Sequence, residues 1–247
     1  MIDFSKTLIH SSSLGKLWVE PQKKEDKLNG ELSQTAKTHL IETYIQEAYG
    51  RRKEIDTAPI KKGNLVENDS LLLLSNHLDN FFDKNEEQVF NDYIIGTPDT
   101  FLGEDINNAE VIYDVKSSYD IFTFLANVTK TLDDTYYYQI QAYMELTGAN
   151  EGYIAYCLVN NPDSMIEQEK SWLLRKTNAI SEDSIEFKQE WNKKLKLLIY
   201  DDIPESERIL LFKVEKDTEF TDKYQSKVEK AREFLHQFQE KHLNFNK

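Results

Sequence analysis

The sequence predicts an α/β fold, in which α-helices flank a β-sheet. Segments with a helical apolar period alternate with strand-like runs in the order helices, two strands, helix, strand, helices, strand, helix. The run from Tyr153 to Val159 is almost continuously apolar, which is typical of a buried central strand. Only 8 glycines and 5 prolines occur among 247 residues, which favours a compact chain without long linkers.

The first half of the chain predicts two helices followed by two strands. Residues 1–30 are polar, and we expect them to be irregular. Ser33 is a helix-capping residue, and the apolar stripe that follows it predicts a helix to about residue 53. A second stripe predicts a helix over about 65–83. Strand-like runs follow at about 90–98 and 110–118, and we expect them to pair as a hairpin.

The second half predicts a helix, a central strand, two helices, a last strand and a long helix. The first helix covers about 135–146, and Gly148 is placed to end it. Helical patterns then cover about 165–178 and 182–200, a strand covers 208–214, and an amphipathic helix covers 221–243. No repeat or domain break is visible, so we expect a single domain over 1–247.

Composition predicts the compartment. No apolar run approaches the ~20 residues that a membrane-spanning helix needs. The N-terminus lacks the basic and then apolar order of a signal peptide. The single cysteine, Cys157, excludes an internal disulfide and a four-cysteine iron–sulfur cluster. We therefore expect a soluble protein of a reducing compartment, the bacterial cytoplasm, with no membrane partner.

Charge gives a mixed indication about nucleic acid. The net charge of −14 argues against it, because phosphate binding usually leaves a basic surface. Basic residues nevertheless cluster at Arg51, Arg52, Lys61 and Lys62. Solvated surface is the commoner explanation of such a cluster. A local phosphate-binding patch is the functional explanation, and the residues considered next favour it.

Asp99, Asp114 and Lys116 form the strongest chemical pattern in the sequence. Alternate strand residues share a face, so Asp114 and Lys116 point the same way, and a hairpin would bring Asp99 beside them. Two carboxylates a few ångström apart repel by roughly 4 kcal/mol at an effective dielectric near 20. A divalent cation is the usual means of offsetting that repulsion. Carboxylates, a hard cation and a lysine are the groups that phosphodiester cleavage requires.

Gln139, Tyr143 and Glu67 add to this pattern. Gln139 and Tyr143 are four residues apart and share a helix face, where they can bind a phosphate oxygen or brace a lysine. When such a pair occurs alone, the tyrosine is more often a core packing residue and the glutamine a surface residue. Glu67, at the start of a helix, either completes the metal ligands or is simply favoured by the helix dipole. No phosphate-binding glycine loop or dinucleotide fingerprint occurs in the sequence.

These motifs resemble those of the PD-(D/E)XK nuclease superfamily. The similar segments are Gly96-Thr97-Pro98-Asp99, Asp114-Val115-Lys116, Gln139-x-x-x-Tyr143, and Lys62-Gly63 followed by Glu67. The trailing glutamine–tyrosine helix is similar to that of the RecB-like and lambda-exonuclease-like (YqaJ-type viral recombinase) branch. The resemblance implies a restriction-endonuclease-like core with a mixed central sheet at about 61–160, and helical elaborations at 1–60 and 161–247.

The resemblance also implies a role for each matched residue. Asp99, Asp114 and the Val115 carbonyl would bind Mg²⁺ or Mn²⁺, with Glu67 as a helper. Lys116 would orient or deprotonate the attacking water. Gln139 and Tyr143 would position the DNA backbone or the lysine, and further DNA contacts are expected at Arg51, Arg52, Lys61, Lys62 and Gln141. Many members have Glu where this chain has Asp114, which is one methylene shorter.

The predicted function is a metal-dependent exonuclease acting on double-stranded DNA ends in phage or mobile-element recombination. A single-strand annealing protein as partner and a ring-shaped homo-oligomer are further expectations from the resemblance. One alternative is an endonuclease, or a CRISPR- or repair-associated end-trimming nuclease, on the same core. An alternative of another class is a non-catalytic DNA- or protein-binding module.

Overall fold

A computed structural model describes residues 1–177 and 181–245 of the chain. Within these residues the strands form two sheets, one of three strands in the order β1-β3-β2 and one of four in the order β4-β5-β6-β7. The strands are β1 (Ile9–His10), β2 (Val89–Phe90), β3 (Ile94–Gly96), β4 (Thr100–Leu102), β5 (Val111–Ser117), β6 (Glu151–Cys157) and β7 (Ile209–Glu215).

Helices surround the four-stranded sheet. They are α1 (Ser11–Leu14), α2 (Lys24–Leu28), α3 (Gln34–Tyr49), α4 (Ala58–Leu65), α5 (Glu67–Leu78), α6 (Ile121–Ala126), α7 (Asp134–Thr147), α8 (Asp163–Thr177), α9 (Ile185–Leu195) and α10 (Phe220–Leu243). Each helix within the described residues is too short or too polar to cross a membrane.

The four-stranded sheet is mixed, as expected. Strand β5 pairs with β6 in parallel, and β4 and β7 add to the two edges in antiparallel orientation. A parallel pair needs a long crossover, and α6 and α7 supply it between β5 and β6. The predicted α/β class, with a mixed sheet flanked by helices, is confirmed.

Helix α7 lies unusually close to the sheet, and this closeness positions the site. Ile140 and Met144 of α7 pack with Ile112 and Ile154 in one buried cluster. A Cβ added to Gly152 on β6 would lie 2.4 Å from Cγ2 of Ile140, so only glycine permits this approach. On the other face α5 packs its leucines against β5 and β6.

Several predicted boundaries are confirmed by local geometry. The side chain of Ser33 accepts a hydrogen bond from the Ala36 amide and caps α3. Gly148 ends α7 in the left-handed conformation, with φ 82°. Cys157 is fully buried in β6, and burial raises the pKa of its thiol to about 12. The end of the predicted helix at residue 178 lies outside the described residues.

The helix predicted over 65–83 is present as α5, which ends at Leu78, whereas α4, which precedes it, was not predicted. Two helices, α4 and α5, meet at Val66, whose φ of −115° and ψ of 18° interrupt the helical backbone. The apolar period runs through the break because Val66 is itself buried. The predicted irregular segment 1–30 also contains β1, α1 and α2, and α1 packs against α7.

The predicted hairpin is correct in its second strand and wrong in its first. Ile94–Gly96 belongs to the three-stranded sheet, where Ile94 pairs with Ile9 of β1. The antiparallel partner of β5 is β4, which begins one residue after Asp99. The chain changes from one sheet to the other near Pro98. The sequence predicts a single strand there, because the residues on both sides of Pro98 have strand character.

Candidate active site

Asp99 and Asp114 lie on the same face of the β4–β5 pair. Thr100 pairs with Tyr113 in antiparallel register, and one further step of that register places Asp99 opposite Asp114. Side chains at facing positions of antiparallel strands are neighbours. Oδ2 of Asp99 accepts a hydrogen bond of 2.7 Å from the backbone amide of Val115, which fixes the carboxylate against β5.

Lys116 lies beside these carboxylates, as strand alternation predicts. Its Nζ is 2.6 Å from Oδ2 of Asp114, whose side chain is buried. Burial lowers the pKa of Lys116, but Asp114 and then Asp99 outweigh it and raise the pKa above its ordinary value. The Lys116 ammonium also lies 5.4 Å from the ring centroid of Tyr136, at cation–π distance. Lys116 is therefore protonated throughout the physiological range in this arrangement.

The pKa of Asp99 is also raised, but for a carboxyl group this favours the neutral form. Burial first, and then repulsion from Asp114, raise the pKa of Asp99 from 3.8 to about 7, although Lys116 and the Val115 amide act against this. A carboxylate that titrates near neutrality in a cavity is typical of functional sites. The pair of aspartates thus shows the electrostatic repulsion that the sequence predicted.

Gln139 and Tyr143 are connected to Asp114 by hydrogen bonds. Nε2 of Gln139 donates to Oδ1 of Asp114 at 2.9 Å and to the hydroxyl of Tyr143 at 2.9 Å. Gln139 and Tyr143 are both buried. Burial, and next the negative charge of Asp114, raise the pKa of Tyr143, so its hydroxyl stays neutral. In this structure Gln139 is hydrogen-bonded to Asp114 and not to Lys116.

Gly96 lies directly against this network. A Cβ at this position would lie 2.6 Å from Cε1 of Tyr143 and 2.5 Å from Oγ of Ser11. The Ser11 hydroxyl in turn donates to the carbonyl of Ile95. The absence of a side chain at residue 96 therefore allows α1, β3 and α7 to meet behind the aspartates.

Glu67 lies at the edge of the same group and is paired with Lys84. Oε2 of Glu67 is 2.7 Å from Nζ of Lys84. Glu67 is also among the groups that raise the pKa of Asp99, which places it nearby. Lys84 has no signal in the sequence, because it lies in a polar loop after α5 and matches no motif.

A cavity of about 850 Å³ exposes these groups to solvent. Its walls include Glu67, Asp99, Lys116 and Gln139, while Asp114 lies behind them in the protein. A second cavity of about 790 Å³ adjoins it, since both are lined by Asn127, Lys130, Tyr136 and Tyr156. A substrate larger than one nucleotide can therefore contact protein on more than one side of the aspartates.

The donor groups fit a hard divalent cation. Oδ2 of the buried Asp114 has no hydrogen-bond partner among the described residues apart from its ion pair with Lys116. Mg²⁺ is commonly held by one or two protein carboxylates together with water and phosphate oxygens, and Asp99 and Asp114 supply such a pair. No group of three or more His, Cys, Asp or Glu side chains in residues 1–177 and 181–245 is gathered closely enough to hold a metal by itself.

The expected DNA contacts divide into exposed and buried residues. Arg51, Arg52 and Lys61 are exposed, and Lys61 pairs with Asp56. Lys62 is fully buried, and its Nζ donates to the carbonyls of Tyr119 and Val159. The prediction of a DNA contact at Lys62 is therefore corrected, because its ammonium holds α4 against the ends of β5 and β6.

Gln141 requires the same correction. It is buried on the opposite side of α7 from the cavity. Its amide donates to the carbonyl of Glu215 and accepts from the amide of Asp217. Gln141 thus joins α7 to the end of β7, and the prediction of a DNA contact there is corrected because its side chain is buried and hydrogen-bonded within the protein.

The chain is similar in structure to solved exonucleases. A phage-related exonuclease from Haemophilus somnus 129PT is 25% identical, with a TM-score of 0.70 over 96% of this chain and 97% of that chain. The alkaline exonuclease LHK-Exo from Laribacter hongkongensis is 10% identical, with a TM-score of 0.60 over 98% and 96%. Its complex with dAMP gives 11% and 0.61 over the same shares. No protein-family model and no curated protein matches the chain.

Fold and site together define a protein of the nuclease class, built on the restriction-endonuclease-like fold. A phage-related exonuclease among these neighbours is what the resemblance to the PD-(D/E)XK superfamily and its lambda-exonuclease-like branch led us to expect.

Proposed function

We propose that this protein is a divalent-metal-dependent DNA exonuclease that acts on double-stranded ends. The observation that carries the proposal is the meeting of Asp99, Asp114 and Lys116 at one cavity. The fold shared with a phage-related exonuclease over nearly the whole of both chains supports it. On this proposal residues 1–247 act as one nuclease domain.

Asp99, Asp114 and the carbonyl of Val115 hold the cation, which we take to be Mg²⁺ or Mn²⁺. When bound, such a cation would supply polarisation of the scissile phosphate and a lower pKa for an attacking water. Asp99 must be ionised for this role, and its pKa of about 7 means that a bound cation competes with a proton there. Glu67 is close enough to contribute to the same field.

Lys116 stabilises the negative charge that develops on the phosphate. Its pKa is raised by Asp114 and Asp99, so it is a poor proton acceptor while it remains paired. A fixed ammonium aimed at developing charge is an effective catalytic group in a partly dry cavity. We therefore infer that Lys116 orients the attacking water and offsets charge on the phosphate, and that it does not deprotonate the water.

Gln139 and Tyr143 position Asp114. The amide of Gln139 fixes one carboxylate oxygen and leaves the other for Lys116 and the metal. Groups that hydrogen-bond to metal-ligating side chains orient them, and their loss typically costs 10–100-fold in metal affinity or activity. Tyr143 acts one step further out, by accepting the second hydrogen of the same amide.

The DNA surface and the partners complete the proposal. Arg51, Arg52 and Lys61 are exposed and contact phosphates, whereas the net charge of −14 keeps DNA off most of the remaining surface. A ring-shaped homo-oligomer with a basic interior would reconcile that charge with DNA binding. The single-strand annealing partner and the cytoplasm of a bacterial host remain predictions from the resemblance.

Digestion of end-labelled linear duplex beside covalently closed circular duplex, both with Mg²⁺, tests the proposal. We expect the linear duplex to be degraded from its ends and the circle to survive. Cutting of the closed circle would favour an endonuclease on the same core. If neither DNA is cut with Mg²⁺ or Mn²⁺, the protein is a binding module and the proposal fails.

A further inference from the structure

The Glu67–Lys84 ion pair lies at the rim of the catalytic cavity. Its two charged atoms are 2.7 Å apart, and the side chains are 30% and 42% exposed. Glu67 lines the cavity together with Asp99 and Lys116. Two ion pairs therefore lie at this site, Lys116 on Asp114 and Lys84 on Glu67.

Lys84 is placed there by the backbone around it. The Asn85 amide donates to the carbonyl of Asp99 at 2.8 Å, and its side chain donates to the carbonyl of Pro98 at 2.9 Å. On the other side of Lys84, the carbonyl of Asp83 accepts from the hydroxyl of Thr100 at 2.8 Å. The residues that flank Lys84 are thus bound to the segment that carries Asp99.

Glu67 is held by this arrangement as a partner of Lys84. Glu67 and Asp99 line one cavity and Asp114 lies behind its wall, yet no three acidic side chains of the described residues are gathered at metal-binding distance. While Oε2 of Glu67 is paired with Lys84, the ammonium offsets the charge that this carboxylate would offer to a cation bound by Asp99 and Asp114. The ammonium and the cation therefore compete for the same carboxylate.

We propose that Lys84 is a positioning residue that holds Glu67 in an ion pair, which a divalent cation must break to recruit Glu67 as a further ligand. The inference rests on the proposed metal-dependent function and adds a determinant of its metal affinity. Ion pairs as exposed as this one are weak, so the pair opens readily. We expect its removal to tighten metal binding by about two- to five-fold, the range that such weak pairs correspond to.

The test is titration of the DNA-free protein with Mn²⁺, followed by the electron paramagnetic resonance signal of the free ion. The variant is Lys84→Met, which keeps the aliphatic length and removes the charge. Lys213→Met is the matched control, because Lys213 is 43% exposed, close to the 42% of Lys84, and pairs with Glu151 outside the cavity. It changes the net charge by the same amount.

A loss of positive charge could attract any cation without releasing Glu67, so the Glu67→Gln background is essential. We expect Lys84→Met to tighten Mn²⁺ binding in the wild-type background and to lose at least half of that gain when Glu67→Gln is also present. Lys213→Met should change the affinity in neither background.

Three results would overturn the inference. These are unchanged or weaker Mn²⁺ binding in Lys84→Met, a gain that persists in full with Glu67→Gln, and an equal gain in Lys213→Met. Failure of the proposed function gives a different result. If Asp114 does not hold the cation, Asp114→Asn binds Mn²⁺ as tightly as the wild type does. If Asp114→Asn binds weakly and Lys84→Met shows no gain, only the role of Lys84 is wrong.

Discussion

Asp99 and Asp114 face each other across the β4–β5 pair, although Asp99 itself lies one residue before β4. The chain reaches this position directly after leaving the other sheet at β3. Asp99 is then held by the Val115 amide, one residue beyond Asp114. The electrostatics of the site follow from this opposition, because each carboxylate lies in the field of the other.

The first prediction concerns pH. The pKa of Asp99 is about 7 in the folded protein against an ordinary value of 3.8. A group with a raised folded pKa contributes its full stability below the unfolded pKa, and the contribution disappears as the pH rises through the folded pKa. We therefore expect the metal-free protein to lose stability, relative to Asp99→Asn, as the pH rises from about 4 to above 7.

Urea denaturation of both proteins in a chelator at pH 5, 6, 7 and 8 measures this. Asp105→Asn is the control, since the pKa of Asp105 is lowered and its titration lies below this range. Wild type and Asp99→Asn with parallel pH profiles would show that Asp99 is not perturbed in the way described.

The second prediction concerns Lys116. Lys116→Ala should lower the rate of DNA cleavage by about 10²- to 10³-fold, the usual cost of removing one group that stabilises developing charge. DNA binding should change little, because one partly buried ammonium supplies a small part of the phosphate contacts. Cleavage of labelled duplex and DNA binding by fluorescence anisotropy measure the two effects.

Lys213→Ala is the comparison for Lys116→Ala, because Lys213 lies in an exposed ion pair with Glu151. Cleavage by Lys116→Ala at the rate of Lys213→Ala would remove Lys116 from the mechanism.

The third prediction concerns Gln139. Gln139→Ala frees Oδ1 of the buried Asp114, and we expect metal affinity or cleavage to fall by about 10–100-fold. Tyr143→Phe should have a smaller effect, since the Tyr143 hydroxyl contacts Asp114 only through Gln139. Mn²⁺ titration and steady-state cleavage measure both variants.

The exposed Gln237, which bonds Glu233 on α10, serves as the neutral control when replaced by Ala. A larger loss in Tyr143→Phe than in Gln139→Ala would mean that Tyr143 touches the substrate directly.

The fourth prediction concerns Gly96. Gly96→Ala forces a methyl group against Tyr143 and Ser11, and we expect a loss of about 1–3 kcal/mol in the free energy of unfolding. Gly63→Ala is its counterpart within α4, where a Cβ meets nothing within 4 Å. That substitution should stabilise the protein by about 0.5–1 kcal/mol.

Thermal and urea unfolding of the two alanine variants measure the contrast. Equal stabilities would show that α1 and α7 can move apart at no cost.

The sequence predicts the candidate catalytic residues better than their surroundings. Asp114 and Lys116 follow the period of a strand, and Gln139 and Tyr143 follow that of a helix, so the orientation within each pair can be deduced from spacing. Asp99 was placed beside Asp114 correctly, but through the wrong strand. The switch between sheets after Gly96 has no local signal, since it depends on β1, which lies more than 80 residues away.

Burial of charged residues was harder to predict. Lys62 follows Lys61 in a basic stretch that is typical of surface, yet its ammonium is satisfied by two carbonyls and lies near the ring of Tyr200. These partners come from distant parts of the chain, so no local pattern reveals them. The same reason hides Lys84, whose position depends on hydrogen bonds to residues 98–100.

The most direct test of the account is the anomalous scattering of Mn²⁺ in crystals of the protein grown or soaked with that ion. The account predicts one strong peak within about 2.0–2.6 Å of a carboxylate oxygen of both Asp99 and Asp114. Strong Mn²⁺ peaks elsewhere together with none between these two side chains, at a concentration that supports cleavage, would contradict it.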